Sequence, residues 1–252
     1  MTDLQIPLDA LHATEPAFID NRLLATFPMD VRKDLRDAIE IIRLDAGDTV
    51  LRRGVDVDCS VFPFGPTMVS MMVDLGAGRS VEVASVGREG AVGGIVSCGH
   101  APAFSRAEAT VAGPAARVPM RVIENAKASS GHVRNLFCRY SDYLLAQIMQ
   151  SVACNSFHTI EQRAARWLLM AQDRAGERLE LTQEALAGLL GVQRTSINAA
   201  VRQLTDEQLI TTRRGAILIH DRSALEARAC ECYDRVEQFF GDIVGDGGLG
   251  RA

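Results

Sequence analysis

Arg194, Thr195, Asn198, Ala199 and Arg202 recur at helical spacing within the run TQEALAGLLGVQRTSINAAVRQL, residues 182–204. On one helix face these side chains are suited to reading base edges. A guanidinium pairs bidentately with guanine, an amide with adenine, and a small apolar group meets the thymine methyl. Base reading falls to Arg194, Thr195, Asn198 and Ala199. Thr182, Ser196, Arg202, Arg213 and Arg214 offer donors to a phosphate backbone, which positions a protein on a duplex without reading its sequence. No acidic residue interrupts the second half of the run before Asp206.

Two short helices about a glycine turn have to hold that face. Thr182 is an N-cap residue, and Glu184 suits the positive helix start. Ala187 is small where the two helices cross, and Gly191 takes the turn. Ile197, Val201 and Leu204 supply the buried side of the second helix. Downstream, Leu209 to Ile219 reads as strand, turn, strand, with Arg213-Arg214-Gly215 at the tip of a wing beside the nucleic acid. Residues 156–222 hold nine arginines against eight acids, so charge supports local contact and nothing broader. A solvated hairpin at the wing and a protein-binding helical hairpin at 182–204 are the competing readings.

The rest of the chain must carry and orient this unit. Residues 16–43 read as helix, starting near Pro16, with Phe18, Leu23, Leu24 and Phe27 followed by Val31, Leu35, Ile39 and Ile42 at helical spacing. From Leu44 the texture changes to strand-sized runs (49–51, 61–64, 68–73, 80–86, 107–111, 115–119) punctuated by glycine turns such as Gly87-Arg88-Glu89-Gly90, the pattern of an all-β barrel or roll closing near residue 120. From Gly131 a stripe of Val133, Leu136, Phe137, Tyr140, Leu144, Ile148 and Val152 predicts a long helix that packs on its own barrel or pairs with a second copy. Its place between two domains favours dimerisation, through Phe137, Tyr140, Leu144 and Ile148. Residues 157–176 give a further helix (Ile160, Ala164, Trp167, Leu168, Ala171) stopped by Gly176.

Bulk properties exclude several function classes. The 252 residues are 47% hydrophobic and carry a formal charge of −5. An acidic balance argues against a protein that coats nucleic acid non-specifically. Of 27 basic residues 25 are arginine. No window approaches ~18 consecutive apolar residues, and the first residues lack a signal-peptide build, so a cytoplasmic protein without membrane contact is expected. Cysteines 59, 98, 138, 154, 230 and 232 include no C-x-x-C pair, and they read as mostly buried reduced thiols with no metal site. Nucleophile-elbow, P-loop and zincin motifs are lacking, which argues against an enzyme and leaves no catalytic residue to name.

The chain resembles the Crp/Fnr family of transcription regulators over roughly residues 15–230. The resemblance rests on TQEALAGLLGVQRTSINAAVRQL with its wing, and on LDAGDTVLRRG and SVFPFGPTMVSMMVDLGAGRSVEVASVGREGAVGG upstream. It implies an α+β architecture: an N-terminal β-roll of the cyclic-nucleotide-binding-like jelly-roll type (15–125), a long dimerisation helix (126–155), a C-terminal winged helix-turn-helix (156–230), and a final helix with a disordered tail (231–252). It also implies a homodimer on a near-palindromic double-stranded DNA operator, with RNA polymerase as a further partner.

Thr195 and Ala199 depart from the glutamate and arginine of cyclic-AMP-responsive members, so a different operator is expected. Such members carry a Gly-Glu pair and an Arg-Ser-Ala cassette around the cyclic nucleotide. The corresponding residues here, Gly93-Gly94 and Arg106-Ala107-Glu108, make an effector pocket of Gly93, Gly94, Arg106 and Glu108 that lacks the ribose acceptor and brings a carboxylate toward the phosphate. Ordinary cyclic AMP control is therefore not expected, and no cofactor is required. No cysteine within residues 1–58 is available for the family's iron–sulfur cluster. Haem would need an axial ligand from among His12, His100, His132, Cys59 and Cys98. The alternatives left open are a cyclic-nucleotide- or haem-responsive regulator and a protein-binding adaptor.

Overall fold

The computed structural model describes residues 8–76, 78–95 and 101–244. The 245–252 tail, expected to be disordered, lies outside them. Helix α1 (Leu8–Asp20) and the short helix α2 (Met29–Arg36) lead into strand β1 (Glu40–Leu44). Two departures from the sequence reading occur here. Pro16 lies inside α1 rather than at its start. The helical reading through residue 43 fails after Arg36: Glu40–Leu44 pairs antiparallel with residues 113–117, placing Ile41 opposite Ala116. Ile39, Ile41 and Ile42 are β-branched and stiff at χ1, and a sheet partner overrides their apparent helical spacing.

Strands β2 (Thr49–Leu51), β3 (Cys59–Pro63), β4 (Met68–Leu75), β5 (Arg79–Val86), β6 (Arg106–Val111) and β7 (Gly113–Pro119) complete the roll. They form two antiparallel sheets of order β1-β7-β3 and β2-β6-β4-β5. Inward residues such as Val61, Phe62, Val69, Val86, Ala107 and Ala116 fill the space between them. Buried Asn21 fastens α1 to this core: its amide donates to the carbonyls of Pro63 and Gly90 at 2.8 Å each, and its carbonyl accepts from Leu23 and Leu24.

Two helices follow, α3 (Met120–Ser129) and the 27-residue α4 (Gly131–Phe157). Phe137, Tyr140 and Leu144, expected at a dimer interface, are buried in the chain's own core with Val133, Leu136 and Tyr143, while Ile148 is half-buried. The outer face of α4 instead exposes Leu145, Met149 and Val152. The reason is angular. An ideal helix turns 100° per residue, so a strict four-residue step drifts about 40° and walks off the buried stripe by residues 148 and 152.

Beyond α4 come α5 (Ile160–Ala175), β8 (Arg178–Leu179), α6 (Gln183–Leu190), α7 (Arg194–Asp206), β9 (Ile210–Arg213), β10 (Ala216–Ile219), α8 (Arg222–Arg228) and α9 (Cys232–Ile243). The two-residue β8 adds to the wing hairpin as a sheet of order β8-β10-β9. The core of this half also contains Met68, Met72 and Val111 from the roll, so the two halves share apolar packing. Helix α9 returns to α4, where Phe240 meets the Tyr143 ring edge-on at 4.9 Å.

Polar contacts reinforce the junction between the halves. Arg174 of α5 donates through Nη2 to Glu89 Oε1 at 2.6 Å, and through Nε to both carboxylate oxygens at 3.2 Å. Nearby, the Trp167 indole donates to Glu82 at 3.0 Å, and the Ser70 hydroxyl donates to the other Glu82 oxygen. Desolvation pushes the Glu82 carboxyl up to about 7 despite these bonds and the nearby Arg166 and Arg174.

A carboxyl raised in this way binds its proton more tightly when folded. Its stabilising effect is full below its unfolded value near 4.5 and is lost as pH rises toward 7. Thermal unfolding followed from pH 5 to pH 8 should therefore show Glu82→Gln losing less stability than the parent, by on the order of 1–3 kcal/mol. Parallel profiles for the two proteins would show that Glu82 does not titrate in this window.

Candidate nucleic-acid interface

The Thr182 hydroxyl accepts from Ala185 N at 3.0 Å and starts α6. Gly191 ends it at φ +64°, a left-handed conformation natural to glycine. The turn then delivers α7, which buries Ile197, Ala200, Val201 and Leu204 against α5 and α6. Burying those four residues fixes which face looks outward. Arg194, Thr195, Asn198, Ala199 and Arg202 are all exposed, and Ser196 is half-buried at the edge. Gln193 provides no side-chain cap and the first turn of α7 holds no acid, so its positive end is uncompensated from within the helix.

Arg194 has an acidic neighbour on the other helix, a proximity that the spacing within α7 does not show. Glu184 of α6 approaches Arg194 Nη1 at 3.6 Å, and Arg202 lies 3.7 Å from Asp206 one turn on. Both pairs are largely exposed, so each is worth at most about 1 kcal/mol and exchanges readily for phosphate or base contacts. At the wing, Arg213 ends β9 opposite Ala216, leaving Arg214 and Gly215 as a two-residue turn. All three tip residues, Arg213, Arg214 and Gly215, are exposed, and Gly215 adopts φ +76°.

The helix-turn-helix does not stand clear of the roll. A Cβ on Gly191 would come within 2.9 Å of Val81 Cγ2 on β5. A cleft of about 360 Å³ separates the outer face of the roll from α6, with Arg106 and Glu108 on one side and Leu181, Thr182 and Ala185 on the other.

That location corrects the four-residue effector pocket. Along β6, Ala107 and Ala109 point inward, so the alternation of a strand turns Arg106 and Glu108 outward. There Arg106 Nε donates to Asp74 at 2.8 Å, and its Nη1 bonds Glu108. Gly93 and Gly94 line a different space, a cavity of about 530 Å³ between the roll and α4, with Met71, Phe104, Met120 and Ile148 among its walls. The only charged residue among its described lining residues is Asp142. A Cβ on Gly94 would meet Met120 Cε at 2.1 Å, so a carboxylate side chain at this position has no room without moving Met120.

Of the haem-ligand candidates, Cys98 and His100 lie outside the described residues, as does the side chain of His12. His132 bonds the Thr26 carbonyl at 3.0 Å, and burial pushes the Cys59 thiol up to about 11. Neither lines the cavity. A group that sequence reading dismissed does come together: Cys154, His158, Cys230 and Cys232 converge where α4 meets α5. Cys154 and His158 are spaced four apart at a helix end, and Cys230 and Cys232 flank one residue, but about 70 positions separate the two pairs.

Residues 162–228 match the Crp-like helix-turn-helix domain. Over 61 residues the chain is 39% identical to the HTH-type transcriptional regulator Cmr of Mycobacterium tuberculosis, a stretch covering 24% of this chain and 25%, about a quarter, of that protein. The fold is similar to that of FixK2 from Bradyrhizobium japonicum, at 16% identity and a TM-score of 0.64, covering 76% of this chain and 98% of that one. It is also similar to the c-di-GMP-responsive global regulator CLP of Xanthomonas campestris, at 13% identity and a TM-score of 0.61, covering 77% of this chain and 100% of that one. The β-roll and the long helix precede the Crp-like helix-turn-helix domain of residues 162–228, and the likeness of the whole chain to these solved structures is one of fold.

Proposed function

We propose that the protein is a sequence-specific DNA-binding transcriptional regulator that reads a near-palindromic operator as a homodimer. The exposed Arg194, Thr195, Asn198 and Ala199 on α7 carry this reading, because the helix's apolar face is buried and, among the described residues, this face stays open apart from the exposed Glu184–Arg194 pair. In a major groove Arg194 and Asn198 meet base edges, while Thr182, Ser196, Arg202 and the wing-tip Arg213 and Arg214 hold phosphates. The protein works where the chromosome is, in the cytoplasm, with RNA polymerase as its downstream partner. No helix among the described residues is long and apolar enough to cross a membrane.

Dimerisation falls to the outer face of α4. Leu145, Met149 and Val152 are 50%, 61% and 64% exposed and lie at i, i+4, i+7, an apolar stripe that a second α4 would cover. A two-fold pair places its recognition helices in successive major grooves when the half-sites lie about 34 Å apart. The mostly apolar cavity at Gly93 and Gly94 disfavours a cyclic nucleotide, whose phosphate needs a cationic partner.

Selection of bound duplexes from a random pool should enrich a two-fold symmetric motif, and failure to enrich any sequence would overturn the proposal. Arg194→Ala should cost about 1–3 kcal/mol on that motif and relax preference at one base position. Arg214→Ala should instead weaken all sequences alike and flatten the salt dependence. Loss in parallel, with base preference unchanged, would mean the roles are misassigned. Met149→Asp should convert dimer to monomer by sedimentation, and a persistent dimer would place the interface elsewhere. Cyclic AMP should leave the melting temperature unchanged, whereas a clear concentration-dependent rise would show that the cavity accepts it.

A further inference from the structure

Three thiols and one imidazole meet at the end of α4. Cys154 lies in its last turn and His158 closes it, while Cys230 sits in the link between α8 and α9 and Cys232 begins α9. Cys154, Cys230 and Cys232 are 1%, 4% and 1% exposed and form a small core of their own. The Sγ atoms of Cys154 and Cys230 are 3.6 Å apart, and Cys232 Sγ lies 3.5 Å from His158 Nδ1. All four ligand atoms fall within 4.8 Å of one another.

These separations match one kind of ligand. Zinc–sulfur bonds of about 2.3 Å and zinc–nitrogen bonds of about 2.0 Å at tetrahedral angles require sulfur–sulfur edges near 3.7 Å and sulfur–nitrogen edges near 3.5 Å. Two edges are already at those lengths, and the remaining ones need side-chain shifts of about 1 Å or less. An iron–sulfur cluster needs its ligand sulfurs farther apart, because the inorganic core lies between them. A disulfide between Cys154 and Cys230 would leave Cys232 and His158 without a role.

The surroundings are those of a metal site as well. His158 Nε2 faces Glu231 Oε2 at 3.2 Å, the carboxylate–imidazole arrangement that orients a ligating ring and fixes its tautomer. The Gln150 amide donates to Cys232 Sγ at 2.9 Å, which favours the thiolate. Arg163 and Arg166 share a small cleft with Cys154 and offset the negative charge of three thiolates on a divalent ion.

We infer that Cys154, His158, Cys230 and Cys232 form a closed, structural tetrahedral site for one thiophilic divalent cation of the zinc type. Binding exchanges the three thiol protons for the metal, so affinity rises with pH. The bound ion clips the α4–α5 junction to the α8–α9 link. That junction is where the long helix hands over to the half that carries α7.

The test uses the full chain, purified under reducing conditions without chelator, with metal measured by mass spectrometry and the metal-stripped protein titrated with cobalt(II). One zinc per chain is expected, and cobalt should give thiolate charge-transfer absorption with the intense visible bands of a tetrahedral site. Cys230→Ser should abolish those bands, Glu231→Gln should weaken cobalt binding about 10- to 100-fold, and Cys138→Ser, on the exposed side of α4, should change nothing. Should Cys230→Ser fail to fold, the parent's cobalt spectrum and the Glu231→Gln titration decide the matter alone. Metal-free protein with no cobalt bands and fully reactive thiols would overturn the inference. A Cys154–Cys230 disulfide, or iron with acid-labile sulfide, would do the same. None of these readouts depends on DNA, so the site can fail while the regulator stands, and the reverse.

Discussion

A single buried ion pair sets the relation between the halves of this molecule. Glu89 and Arg174 are 8% and 3% exposed, so each charge has given up nearly all its water and depends on the other. Removing one partner of such a pair leaves an uncompensated buried charge, worth about 3–5 kcal/mol. The geometry around the pair is correspondingly tight. Gly87 donates its N–H to Glu89, and a Cβ there would lie 2.5 Å from Arg174 Cδ. Three residues on, a Cβ at Gly90 would lie 1.9 Å from the Tyr140 hydroxyl, which bonds both the N–H and the carbonyl of Ala91. The roll, α4 and α5 therefore meet at one turn, and both of its glycines are required by what passes over them.

This anchor constrains how the DNA-facing half can move. Beside it, Met68, Met72 and Val111 pack into the same core as α5 and α6, and the Gly191 turn abuts Val81. Rotating the helix-turn-helix against the roll breaks the Glu89–Arg174 pair, the Trp167–Glu82 bond and this apolar packing together. Interfaces so tightly packed are bistable rather than continuously deformable, so a change of state here is a discrete step. The cavity at Gly93 and Gly94 lies against α4, whose Tyr140 reaches the same turn, and α4 is thus the physical link between any occupant of that cavity and the anchor.

What could be read from the sequence alone was what local rules decide. Thr182, Gly191 and Ile197 sit in a segment of about 20 residues whose capping, turn and periodicity agree, and the exposed face of α7 follows from them. The roll was legible as strands because glycine punctuates its turns. The errors came where partners distant in sequence decide. β1 looked helical until β7 paired with it. The resemblance puts Arg106 and Glu108 in a pocket with Gly93 and Gly94, whereas the alternation along β6 turns them to the outer face. The stripe on α4 divides between two faces: Phe137 and Tyr140 serve the chain's own core, whereas Val152 looks outward beside Leu145 and Met149, which the stripe does not include.

The cysteines make the same point most sharply. Neither Cys154 with His158 nor Cys230 with Cys232 is a metal motif alone, since each supplies two ligands and a closed site needs four. What unites them is α5 and α8 packing against one another, so that the link before α9 returns to the end of α4. That packing is set by apolar residues such as Leu168 and Leu225, none of which marks a metal site. Three buried thiols and an imidazole converging within 4.8 Å, with two of the separations at 3.5 and 3.6 Å, are also more than packing requires, because small apolar side chains would fill the same space without polar atoms needing partners. The choice of ligand chemistry at a buried junction is therefore the informative residue signal, and only the fold brings its parts together.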